Sequence, residues 1–129
     1  MHRNNLLAVA GVAAALLPIE AFFGFGLWFA PGWANEWPGG LPIHLVWPVG
    51  MTAVATAILL TMAVGFGAAV AASHQAESGA PLSGRAARLW VVVAVVSAAI
   101  VSPFVFGYFH TAALESWPNG YNSRGNPNQ

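Results

Sequence analysis

Residues Leu6–Ala30 read LLAVAGVAAALLPIEAFFGFGLWFA, an apolar run broken by a single ionisable side chain, Glu20. As a helix this run is about 37 Å long, more than the ~30 Å of hydrocarbon in a bilayer. Arg3 precedes it, as in a secretory leader, but it outruns the usual leader core and no clear small-x-small cleavage site follows, which predicts a retained anchor.

Two further runs repeat the pattern. The expected spans are Leu6–Phe29, Leu45–Ser73 and Leu89–Ala113, joined by short connections. The composition agrees: of 129 residues 57% are hydrophobic and 6% charged, with mean hydropathy +0.64. A water-soluble domain carries about 25% charged residues, so this chain cannot cover its surface with polar groups. The fold class expected is therefore an all-α integral membrane three-helix bundle, with residues 1–114 as one three-span domain and 115–129 as an irregular polar tail. Arg3, Arg85 and Arg88 lie beside two span ends that the positive-inside bias assigns to the cytoplasm. The N-terminus is then cytoplasmic and the C-terminus outside, in a cell inner membrane, with a prokaryotic host suggested by compactness alone.

Composition also excludes functions. Four Arg balance four Glu, with no Lys or Asp, so no basic field exists to bind nucleic acid. The absence of cysteine removes disulfides, thiolate metal sites and cysteine nucleophiles. No Ser-His-Asp set, paired carboxylates or phosphate-binding glycine loop is present, and no catalytic residue is assigned.

Glu20 falls near the centre of the first span, where an ionised group costs several kcal/mol and is normally turned to a partner, a cavity or a proton path. Counting inward at ~1.5 Å per residue puts Thr56 and Ser102 at the same depth, about 15 Å from the outer boundary. Glu20, Thr56 and Ser102 are thus expected in one midplane layer. Three roles are open to Glu20: a hydrogen-bonding group inside the bundle, a proton relay, or the partner of a cation from another chain.

His44 and His110 stand at the outer ends of the second and third spans, where two helices could present axial imidazoles to a b-type haem. Gly107, one turn before His110, would leave room for the porphyrin, with Phe106 and Trp47 as walls. No third ligand is evident for a bare metal ion, so no metal site is expected. Trp28, Trp33, Trp37, Trp47 and Trp117 gather at the outer side, as an aromatic belt or a docking surface. The loop 31–42 (PGWANEWPGGLP) is stiffened by three prolines.

Small-residue pairs Gly11/Ala15, Ala63/Gly67 and Ala68/Ala72 suit close helix packing in lipid. Pro18 and Pro103 are expected to kink their spans, and Pro48 to sit harmlessly in a first turn.

The functional expectation is a small non-catalytic subunit among other integral membrane subunits of an energy-transducing electron-transfer complex, respiratory or photosynthetic. A redox-active anchor holding haem b between His44 and His110 is the alternative. A homo-oligomeric proton channel or transporter built around Glu20 is a third.

Overall fold

The computed structural model describes residues 2–28 and 43–116, and in it the chain is all-helical. Three helices follow one another: α1 (Arg3–Trp28), α2 (Ile43–Ser78) and α3 (Gly84–Ser116). All three are long and apolar enough to cross a membrane. With 26, 36 and 33 residues, they are about 39, 54 and 50 Å long.

The helices overrun the apolar spans because hydropathy marks the part suited to lipid, whereas a helix ends where its caps end it. Beyond Ser73, α2 continues through His74-Gln75-Ala76-Glu77 to Ser78 and stops at Gly79. There φ is +71°, a conformation glycine adopts without a Cβ penalty, and the Gly79 amide donates to the Gln75 carbonyl at 2.8 Å. Ser83 then caps α3: its Oγ accepts from the Ala86 amide at 3.1 Å, and its carbonyl from Ala87 at 3.0 Å. At the other end of α2, starting at Ile43 moves Pro48 from the expected first turn into the second. Both α1 and α3 run on as helices through Pro18 and Pro103.

The chain divides into two compact units. The first comprises residues 1–20 and 57–100. Its core is Leu6, Ala68 and Ala72, with Val9, Ala10, Ala71 and Leu82 packed around it. Here α1 and α2 run antiparallel and very close, since a Cβ placed on Gly65 would stand 2.6 Å from the Ala13 Cβ. Between α2 and α3, the Trp90 indole lies over Gly67 and donates to the Ala63 carbonyl at 3.1 Å. Close approach through small residues is the packing that lipid favours.

The second unit comprises residues 21–56 and 101–129. Trp47, Met51 and Ala113 are buried at its centre, against Leu27, Phe109 and Ala112. The Trp47 indole donates to the Leu27 carbonyl at 2.8 Å. A carbonyl in the last turn of a helix lacks an intrahelical donor, so Trp47 caps α1 with its polar tip while burying its ring. Trp28 and Phe109 stand against that ring, with centroids 5.9 and 5.7 Å away. Gly24 and Gly50 admit Val54 and Leu27, each about 3.2–3.3 Å from where a Cβ would be.

Of the three small-residue pairs, Ala63/Gly67 and Ala68/Ala72 lie in these contacts. Gly11 and Ala15 do not: both are exposed, and nothing approaches within 4 Å of a Cβ on Gly11. Large apolar side chains also point outward, including Phe104 at 76% exposure and Phe22 at 73%. In water such a surface would aggregate; against acyl chains it is solvated.

Candidate functional site

Glu20 is half-buried in the first unit, and the hydroxyl that reaches it is that of Thr61, whose Oγ1 donates to Glu20 Oε1 at 2.6 Å. Helical phase explains the choice. Ala13 meets Gly65, and Glu20 lies seven residues beyond Ala13, about two turns on and so on the same face of α1. On α2, Thr61 is one turn before Gly65 and shares its face. Thr56 is nine residues away, which rotates it by about 180° to the opposite face.

Depth along the axes does not fix rotation about them, so Thr56 meets the expected depth but not the face that turns Thr61 to Glu20. The four-residue spacing of Thr61 and Gly65 was the signal that could have found the donor. Thr56 and Ser102 are half-buried members of the second unit, on α2 and α3.

The second carboxyl oxygen, Glu20 Oε2, is buried and has no hydrogen-bond partner among the described residues. A buried acceptor left in that state carries a desolvation cost of about 1–3 kcal/mol. Thr61 also borders an open apolar groove of about 450 Å³ along α1 and α2, lined by Val9, Val12, Leu16, Leu60 and Val64 among others. The groove's walls are almost wholly hydrocarbon, so Thr61 with its acceptor Glu20 is the polar feature at its edge. Such an arrangement can hold two helices in one rotation, and it can take up a further donor if the packing around Oε2 opens. Thr61→Val should cost about 0.6 kcal/mol, and no more than ~1.7, the range of interhelical hydrogen bonds in lipid. Reversible denaturation in mixed micelles measures it.

His110 is half-buried on α3, its ring stacked on Phe106 with centroids 5.4 Å apart and planes 11° from parallel. Gly107 faces open space. Trp47, expected as a porphyrin wall, is buried between Trp28 and Phe109. The His44 side chain lies outside the described residues, as do Trp33, Trp37, Trp117, the proline-stiffened loop and all but the first two residues of the expected tail. Among the described residues no three His, Cys, Asp or Glu side chains gather as a metal site would require.

Fold and site together define a class: an all-helical protein with three helices long and apolar enough to cross a membrane, and a carboxyl–hydroxyl pair between the first two. No protein family, curated protein or solved structure matches the chain.

Proposed function

We propose that the chain is a small non-catalytic subunit of a larger complex in the cell inner membrane of a prokaryote. In this reading the helices form a three-span bundle, with the start of α1 and the α2–α3 connection cytoplasmic and the C-terminus outside. The arginine distribution supports that orientation.

The observation that carries the subunit reading is how little the spans bury against one another. Within the chain only 11%, 6% and 11% of the three apolar windows are buried. Few residues of each span are thus fully enclosed by the other helices, and the remaining side chains are left to meet lipid or neighbouring subunits. The unpartnered oxygen of Glu20 adds a second ground, because a carboxyl at membrane depth is normally completed by a partner or a proton path. That same chemistry supports an energy-transducing host, in which intramembrane acids serve proton movement.

The test is purification of the tagged full chain from native membranes in mild detergent. Stoichiometric co-elution with unrelated membrane chains, and a reduced-minus-oxidised absorbance in that complex, is the expected result. A chain that elutes alone, or only with copies of itself, overturns the subunit reading; a colourless complex overturns its electron-transfer part. Glu20→Leu should leave the isolated chain as stable as before, or more so, while lowering recovery of the complex several-fold. Unchanged recovery would remove Glu20 from assembly.

A further inference from the structure

All the cationic side chains in the described residues are arginines, and all three belong to the first unit. Arg3 opens α1; Arg85 and Arg88 lie in the first two turns of α3. All three are exposed. The buried cluster of this unit brings them to one end of it. Leu6, three residues after Arg3, is buried with Ala68 and Ala72, and Leu82, three residues before Arg85, packs on the same cluster.

The placement does not serve the helices. A helix N-terminus carries partial positive charge, so cations in a first turn oppose the macrodipole. Neither α1 nor α3 has an acidic residue in its first turn to offset them. Arg88 goes further and folds back over the start of α3, its Nη2 3.9 Å from the position a Gly84 Cβ would take. Against three guanidinium groups this end offers, among the described residues, one exposed carboxylate, Glu77 in the last turn of α2. The local balance of arginines and carboxylates among the described residues is +2 (three arginines less Glu77).

We propose that Arg3, Arg85 and Arg88 form a docking surface for the phosphate of anionic phospholipids. Charge complementarity selects the occupant, and residue type sharpens it. A guanidinium presents a planar fork that grips phosphate oxygens bidentately, which an ammonium does not. The chain uses Arg at every cationic position and Lys at none. The inference rests on the reading that the helices cross a bilayer, which places these exposed groups at headgroup level.

The full-length protein is reconstituted into nanodiscs of phosphatidylcholine alone or with one third phosphatidylglycerol. Insertion is scored by resistance to alkaline carbonate, and retained lipid by native mass spectrometry after detergent exchange. Inserted protein should retain phosphatidylglycerol well above its share of the mixture. R3Q/R85Q/R88Q should reduce that preference on the order of 100-fold, from about fivefold per arginine near an anionic surface. R3K/R85K/R88K should keep part of it, and serves as the folding control if the glutamine variant loses helicity. Equal retention of both lipids by inserted wild-type protein, or a preference unchanged in the glutamine variant, overturns the proposal. Protein extracted by carbonate overturns the membrane reading instead.

Discussion

Trp47→Ala lowers the stability of the folded protein in detergent by about 3–5 kcal/mol, the range for deleting a buried tryptophan from a packed core. Three losses combine. The indole fills the centre of the second unit's core beside Met51 and Ala113, the latter wholly buried, so its removal leaves a cavity that helices cannot readily close. Ring contacts to Trp28 and Phe109 disappear with it. The Leu27 carbonyl also loses its cap, in a medium where an unsatisfied carbonyl is costly. Trp47→Phe separates these terms, because it keeps most of the packing and removes only the N–H. Its cost should be about 1 kcal/mol, that of one hydrogen bond. Reversible unfolding followed by circular dichroism measures both. An alanine variant within 1 kcal/mol of wild type would mean that this cluster does not hold the ends of the helices together.

The second large effect is expected at Gly67. The Trp90 indole occupies the space in which any side chain at this position would start, and the ring nitrogen is simultaneously bound to the Ala63 carbonyl one turn earlier on α2. The indole is a rigid bicyclic unit tied by its nitrogen, so although it is 46% exposed it swings aside only by giving up that hydrogen bond. Gly67→Val should therefore destabilise by about 1–3 kcal/mol, the cost of overpacking. In a Trp90→Ala background the same substitution should be nearly silent, since the ring it strikes has gone. Gly11→Val, by contrast, meets nothing within 4 Å and should be close to neutral. Equal costs at Gly11 and Gly67 would show that helix propensity, rather than the Trp90 contact, sets the price of replacing glycine here.

The contrast between Gly11 and Gly67 shows why packing was only partly legible in the sequence. Both head a small-residue pair at four-residue spacing or complete one, and both satisfy the pattern for close helix approach in lipid. In a soluble helix an apolar stripe reveals which face turns inward. These helices are apolar all round, so no stripe distinguishes the side that meets a neighbour from the side that meets acyl chains. The same blindness separated Thr61 from Thr56. Both are threonines of α2 near mid-span, and rotation relative to the α1 contact was the quantity that decided between them.

The helix ends were hidden for a different reason. Gly79 and Ser83 carry recognisable cap chemistry, but the apolar spans are shorter than the helices, because His74–Ser78 and Gly84–Arg88 carry polar and charged side chains yet suit helical backbone. Hydropathy reports solvent preference; capping reports where hydrogen bonding stops.

By itself the sequence determined the elements, three helices long and apolar enough to cross a bilayer. Backbone groups cannot go unbonded where water is absent, so three apolar runs longer than a bilayer's hydrocarbon can only be helices, and the acid at residue 20 had to lie within one of them. The tertiary structure alone decided which side chains meet: Thr61 with Glu20, Ala13 with Gly65, Trp90 with Gly67, Trp47 with the end of α1. Those pairings depend on register and rotation between helices, which a uniformly apolar surface does not encode and which only the fit of small residues against large ones selects.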